Sequence, residues 1–359
     1  MSQDPDSAAV KSLAREGGFD LVGITTAEPP PEAAFFAEWL ERGYAGEMGY
    51  LYGRRGQLRR DARNLLPSAR SVICLGLLYN TPHPPGPVSR YAWGDDYHDL
   101  LHGRIEQLAV RLQALAPCEC KICVDTAPLL ERTFAQRAGL GWIGHNTCLI
   151  NQQIGSWVFL GEILTSLELE ADEPAPFRCG SCRRCIEACP TQALVPAGGT
   201  PGPAFTLDSR RCISYWTIEL RGPVPEEHRG DNQGLVFGCD ICQQVCPWNR
   251  RAPVTAEPAF APRSSQPLTL DRLASLTAEE FEETFRSSPL RRTRYSGLLR
   301  NVALAMGASG DARHRPALQK LAASEDALIR DHARFALESL CSASPPGEKS
   351  NTSTETQPE

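Results

Sequence analysis

The chain has 359 residues and lacks any apolar run of about 18 residues, so no membrane-crossing helix is expected. Its start, MSQDPDSAAV, lacks a basic stretch followed by an apolar one and lacks a twin-arginine pattern, so a cytoplasmic location is expected. A Gly-x-Gly-x-x-Gly turn after a strand and a phosphate-binding loop are both missing, which excludes the common nucleotide sites. An overall excess of positive charge is also missing. The net charge of -6 argues against a generic nucleic-acid binder but leaves room for a local basic face.

What the chain has in quantity is cysteine, 14 residues. Disulfides are not expected in the cytoplasm, and half of the cysteines fall in two short runs, which points to metal. Cys179, Cys182, Cys185 and Cys189-Pro190 follow the bacterial ferredoxin spacing. A zinc site would take two separated pairs rather than this dense four. A second run, Cys239, Cys242 and Cys246-Pro247, is one residue short, with Val236 where its first cysteine would stand.

In paired clusters the cysteine before proline crosses to the other cluster. That rule groups Cys179, Cys182, Cys185 and Cys246 around one [4Fe–4S] cluster. Cys189, Cys239 and Cys242 then need a fourth ligand, and Cys212 in RRCISYW is the only cysteine left in the segment. The other six, Cys74, Cys118, Cys120, Cys123, Cys148 and Cys341, form no complete ligand set. CECKIC (118–123) reads as ordinary thiols at a strand edge.

Residues 1–170 read as an α/β domain. SVICLGLLY (71–79) and WVFLGEILTSLEL (157–169) are strands, 97–115 is a helix, and 122–139 runs strand, turn, helix. ADEPAPF (171–177) opens a ferredoxin-like domain, 171–255. A linker at 251–268 leads into a helical domain, 256–341. There Leu298-Leu299-Arg300-Asn301 and Leu328-Ile329-Arg330-Asp331, thirty residues apart, suggest HEAT-like repeats. The tail, 342–359, is expected to be disordered. A free-standing electron carrier would need only the middle segment, so the flanking domains favour a redox enzyme over a carrier.

VDTAPLLERTFAQRAGLGWIGHNTCLI (124–150), GSWVFLGEILTSLEL (155–169), CGSCRRCIEACPTQAL (179–194), RRCISYWTIELRG (210–222) and GCDICQQVCPWN (238–249) together resemble the epoxyqueuosine reductases. SRYAWGDDYHDLL (89–101) and SPLRRTRYSGLLRNVALAMGASGD (288–311) are similar to that family too, and the resemblance spans roughly residues 10–340. It implies a cytoplasmic, cobalamin-dependent enzyme related to the reductive dehalogenases. Its reaction would be reduction of epoxyqueuosine to queuosine at the tRNA wobble position. Electrons would come through two [4Fe–4S] clusters from an external donor of flavodoxin or ferredoxin type. A monomer is expected.

Carried over by the resemblance, Asp125 of DTAPLLER is the proton donor. Read alone, it would be a helix-capping aspartate, worth about 1 kcal/mol. An acid acting near neutrality needs a pKa raised by burial. Arg59, Asp125, His145, Leu149 and Leu160 are expected at the corrin, although the family commonly has lysine in place of His145. Glu131 reads as a surface or structural carboxylate. Residues 286–315 hold seven arginines against Asp311, an excess suited to phosphate. Arg291, Arg292, Arg294 and Arg300 are the expected tRNA contacts. A cobalamin-dependent reductase of small molecules remains the alternative within enzymes, and the Arg-rich helical domain argues against it.

Overall fold

The first region contains, in chain order, α1 (Ser7–Glu16), β1 (Leu21–Thr26), α2 (Glu32–Glu41), α3 (Gly53–Leu58), β2 (Ser71–Leu78) and α4 (Tyr97–Leu115). There follow β3 (Cys120–Cys123), α5 (Glu131–Arg137), β4 (Trp142–Ile143), β5 (Leu149–Ile150) and β6 (Val158–Thr165). The computed structural model describes residues 5–82, 86–198, 204–263 and 268–342. The tail expected to be disordered lies outside the described residues from position 343 onward.

Continuous apolar strands belong in the middle of a sheet covered on both faces. Accordingly β2, buried along its whole length, and β6 are the central strands of an antiparallel sheet ordered β1-β2-β6-β3. Side chains alternate between the faces. Ile73, Leu75 and Ile163 pack with Leu101, Ile105, Leu108 and Leu112 of α4 and with Val10 and Ala14 of α1. On the other face Val72, Cys74 and Leu164 pack with Phe134 and Ala135 of α5 and with Leu149. Gly23 lets the end of α5 touch β1, since a Cβ there would lie 2.0 Å from the Ala138 carbonyl oxygen.

The cysteine-rich segment is mostly loop, with α6 (Arg184–Glu187), a hairpin of β7 (Leu194–Pro196) and β8 (Phe205–Leu207), α7 (Ile213–Ile218) and α8 (Ile241–Gln244). The segment expected to be a linker is instead a strap across the first region. Asn80 donates to the carbonyls of Ala252 and Pro253, Glu257 pairs with Arg104, and Phe260 is buried against Phe159. Its residues 264–267 lie outside the described set.

The last region comprises α9 (Leu270–Ala274), α10 (Ala278–Thr284), α11 (Arg294–Ala308), α12 (Arg315–Ala322) and α13 (Ala327–Ser342). Every residue of α11 from Gly297 to Gly307 is buried, as expected of a helix enclosed on all sides. The two similar stretches thirty residues apart fall on α11 and α13, which pack on each other, Gly307 against Ala336.

Candidate active site

All three regions meet at a cleft of about 550 Å³. The first region contributes Tyr50, Tyr91, Asp96, Tyr97, His98 and Asp125; α7 and the residue after it contribute Ile218 and Glu219; the helical region contributes Arg286, Arg291 and Arg292.

Two backbone features aim the acid–base groups. Asp96 caps α4, accepting the His98 N–H at 3.1 Å, and the same carboxylate oxygen lies 2.6 Å from His98 Nδ1. Asp125 sits in the loop between β3 and α5 with φ +41°, a left-handed conformation unusual outside glycine. Its N–H donates to the Glu131 carboxylate, which holds the loop in that shape. Asp125 Oδ2 then lies 3.0 Å from His98 Nε2 and 3.8 Å from Arg292 Nη1.

The result is a carboxylate–imidazole–carboxylate chain, Asp96, His98, Asp125. Burial works against the imidazolium, but hydrogen bonds to Asp125 and Asp96, with their charges, raise His98 to about 9. Burial likewise works against the Asp125 carboxylate, yet the His98 bond and the charges of His98, Arg292 and Arg132 hold it below the usual range. The expected rise in the Asp125 pKa is therefore not found; the proton resides on the neighbouring imidazole. Arg292 also pairs with Glu219 at 2.8 Å and lies over the Tyr50 ring, 5.6 Å from its centroid.

Beneath this loop lie two more carboxyls, Glu131 half-buried and Glu162 fully buried. Burial and then the Asp125 charge raise Glu131 to about 8. Glu162, fully enclosed on β6, is pushed well above the carboxylate range by burial and by Glu131, and neither of its oxygens has a partner among the described residues.

The cysteines of the two runs fall into two neighbourhoods. Burial raises the Cys185 thiol to about 11, and Cys179, Cys246 and Cys182 add to the rise. Around Cys239 burial leads and Cys212 and Cys189 add to the rise; the Cys242 thiol is raised first by its hydrogen bond to Cys148 and by burial, with Cys239 and Cys212 adding. Cys179, Cys182 and Cys246 thus lie near Cys185, and Cys189, Cys212 and Cys242 lie near Cys239, with Cys148 beside Cys242. Among the described residues no three His, Cys, Asp or Glu converge as for a single metal ion. Thiols alone, four to a group, fit iron–sulfur chemistry. Trp142 Nε1 donates to Cys179 Sγ at 3.4 Å, and Trp248 packs edge-on against Trp142.

Two family models match the chain: "4Fe-4S double cluster binding domain" over residues 178–249 and "Epoxyqueuosine reductase QueG, DUF1730" over residues 59–126. The epoxyqueuosine reductase of Gloeobacter violaceus is 47% identical over 322 residues, covering 86% of this chain and 98% of that protein. That of Escherichia coli is 38% identical over 343 residues, 91% of this chain and 88% of that protein. The chain belongs to the epoxyqueuosine reductase family. It is therefore an oxidoreductase. A crystal structure of epoxyqueuosine reductase with an epoxyqueuosine-modified tRNA stem loop overlays with TM-score 0.82 at 29% identity, covering 93% of this chain and 89% of that one. A Bacillus subtilis epoxyqueuosine reductase, described with its catalytic loop swung out of the active site, overlays equally well, with TM-score 0.82 at 28% identity over 93% of this chain and 90% of that one.

Seen as a reductase of this family, the chain places its expected site residues unevenly. Asp125 is in the cleft, six residues before α5, and so does not cap that helix. Arg59 is buried beside it, donating to the carbonyls of Tyr50 and Arg55. Leu149 and Leu160 lie in the apolar layer under α5. His145 turns the other way. Its ring is buried between Phe177 and Phe205, and Nδ1 lies 2.9 Å from the Cys182 carbonyl oxygen. It supports the first cysteine loop rather than facing the cleft, because the flanking aromatics and the free carbonyl are on that side.

Arg291 and Arg292 line the cleft and Arg294 is exposed, but Arg300 is fully buried. Arg300 donates to the carbonyls of Trp216, Leu220 and Gly222 and to Asn301 Oδ1, tying α11 to α7. It is a structural cation and not an RNA contact. The signal was local: a lone arginine among Leu298, Leu299, Val302 and Ala303 belongs to an enclosed helix.

Sequence reasoning missed His98, Glu219 and Tyr50. It also set aside Cys148, whose thiol is hydrogen-bonded to Cys242. The Asp–Tyr–His run was a usable signal for His98, since an N-cap aspartate fixes the residue two positions on.

Proposed function

We propose that this enzyme reduces epoxyqueuosine to queuosine in tRNA, using cobalamin fed by two [4Fe–4S] clusters, with the Asp96–His98–Asp125 chain delivering protons. The observation that carries the reading is the placement of Asp125, His98 and Arg292 in one cleft shared by all three regions. Support for the RNA comes from the relative whose crystal structure holds a modified stem loop.

The clusters would be held by Cys179, Cys182, Cys185 and Cys246, and by Cys189, Cys212, Cys239 and Cys242. The second group adjoins the cleft, since Cys212 leads into α7 and α7 ends at Ile218 in the cleft wall. The cleft fits a flat amphipathic group such as a corrin. Tyr50, Tyr91, Tyr97 and Ile218 supply apolar surface, and ionisable groups converge on one side. Arg59, buried behind Tyr50, would back this wall, with Leu149 and Leu160 in the apolar layer under α5. When bound, the corrin and the clusters supply the electrons.

The residues of the chain do the rest. Turning an epoxide into an alkene and water takes two electrons and two protons. His98 holds the first proton and passes it through the Asp125 carboxylate, on which its Nε2 lies, to the departing oxygen; the second proton comes from solvent by the same route once the imidazole is protonated again. Asp96 fixes the imidazole by its other nitrogen. Arg292 faces the oxygen on which negative charge develops. Arg286 and Arg291 at the rim, with exposed Arg294, suit phosphates, while Tyr50, half exposed beneath the Arg292 guanidinium, suits stacking by a splayed base.

Asp125→Asn tests this assignment. The variant should retain iron and cobalamin and bind the stem loop, while conversion of epoxyqueuosine, read by mass analysis of the RNA, falls about 100-fold or more. Unimpaired conversion would remove Asp125 from the mechanism.

A further inference from the structure

The described surface over the first cysteine group carries a cluster of positive charge. Arg178, Arg183, Arg184 and Arg250 are all exposed. None of them forms an ion pair among the described residues; exposed Arg54, Arg60 and Arg294 lack one too, but Arg178, Arg183 and Arg184 sit together on one ligand loop. Arg183 instead lies over the Phe205 ring, 5.2 Å from its centroid. Between residues 177 and 187 three arginines face one acid, Glu187, a local excess of 3 - 1 = +2 in a chain of net charge -6. Phe177, 52% exposed, stands beside them as an apolar centre.

The position of this face matters as much as its charge. The arginines flank the ligand loop itself: Arg178 precedes Cys179, and Arg183 and Arg184 lie between Cys182 and Cys185. The crest of that loop is open, since a Cβ on Gly180 would meet nothing within 4 Å. The underside is rigid, held by His145 on the Cys182 carbonyl and by Trp142 on Cys179. None of these residues lines the cleft. With the second cysteine group adjoining the cleft, the first is the end at which electrons would enter.

We propose that Phe177, Arg178, Arg183, Arg184 and Arg250 form the docking site for a small acidic one-electron carrier protein. The proposal rests on the cluster reading given above. Unpaired guanidinium groups around an exposed aromatic ring suit a brief, electrostatically steered encounter. Such redox encounters bury little surface, at most about 1,200 Å². An RNA backbone would also be attracted, but the cleft has its own arginines for that, and this face lies apart from it. The carrier gives one electron and is oxidised; the adjacent cluster is reduced; no bond forms or breaks.

The test uses the full chain loaded with clusters, a reduced acidic flavodoxin as the probe, and the bleaching of cluster absorbance in rapid mixing. Wild type should be reduced at a rate that falls steeply with added salt. The double variant Arg178→Glu/Arg184→Glu should be reduced roughly 10-fold more slowly or worse at low salt, with a flattened salt dependence. Arg178→Gln/Arg184→Gln should fall between the two. Reduction by a small chemical reductant and affinity for the tRNA stem loop should stay at the wild-type level.

Carrier reduction that ignores the charge changes, or a loss of RNA affinity in place of carrier reduction, overturns the proposal. A chain that takes up no iron would instead defeat the cluster reading beneath it, so the two failures are separable.

Discussion

Arg300→Met separates a structural arginine from an RNA contact. The Arg300 side chain is fully buried and has no carboxylate beside it; its donors serve three main-chain carbonyls and the Asn301 amide oxygen. Burial lowers its pKa to about 10, so it remains charged at neutral pH. Methionine would fill much of the volume but leave the carbonyls of Trp216, Leu220 and Gly222 without this donor. Each buried acceptor left unsatisfied costs about 1–3 kcal/mol, and the losses do not add fully.

A net destabilisation of about 3–5 kcal/mol is expected, a large part of a total stability of about 5–15 kcal/mol. For a cooperative unit of roughly 200 residues that corresponds to a fall of about 10 °C in melting temperature. Exposed Arg294→Met should change stability by less than about 0.5 kcal/mol. Thermal melts of both variants at matched iron content decide the matter. An unchanged melting temperature for Arg300→Met, together with weaker and less salt-dependent RNA binding, would refute the structural role.

Other perturbations follow from the same geometry. His98 has a folded pKa of about 9, above its ordinary 6.5. Its stabilising contribution is therefore complete below about pH 6.5 and lost as pH rises through about 9, so the melting-temperature difference between wild type and His98→Gln should shrink over that window. A difference constant across it would remove the ion-paired imidazole. Cys212→Ala should lower iron content by about half and Cys148→Ala should leave it intact; the reverse pattern would reassign the fourth ligand. Glu162→Gln should gain thermal stability relative to wild type as pH rises above the ordinary carboxylate range, because the raised native pKa makes ionisation unfavourable there. A variant no more stable than wild type at pH 8 counts against an unpartnered buried carboxyl.

The parts of this molecule legible in its sequence are those whose determinants are local. The mostly apolar β2 and β6 announced buried central strands, and the dense cysteine spacing announced an iron–sulfur segment. The empty slot at Val236 was legible only in part. The structure shows that this residue and Phe237 are fully buried in the core shared with the helical region, and Asn301 donates to the Val236 carbonyl. A ligand there would have broken that contact.

What the sequence concealed depends on long-range placement. His98 meets Asp125 across 27 residues because an N-cap and a left-handed loop happen to converge. The arginine excess of residues 286–315 looked uniform, yet Arg292 sits on the 3-10 turn before α11 and lines the cleft, while Arg300 lies in the enclosed middle of α11. The apparent linker became a strap because Phe260 finds an aromatic pocket and Asn80 binds its carbonyls.

The most direct test of the account is oxygen loss from the RNA. Enzyme prepared without oxygen, carrying both iron–sulfur clusters, is mixed with an epoxyqueuosine-modified stem loop and a reductant, with and without cobalamin, and the RNA is weighed by mass spectrometry. Loss of one oxygen atom only in the cobalamin-containing sample is the predicted result. Equal conversion by the cobalamin-free enzyme, or none by the fully loaded one, would contradict it.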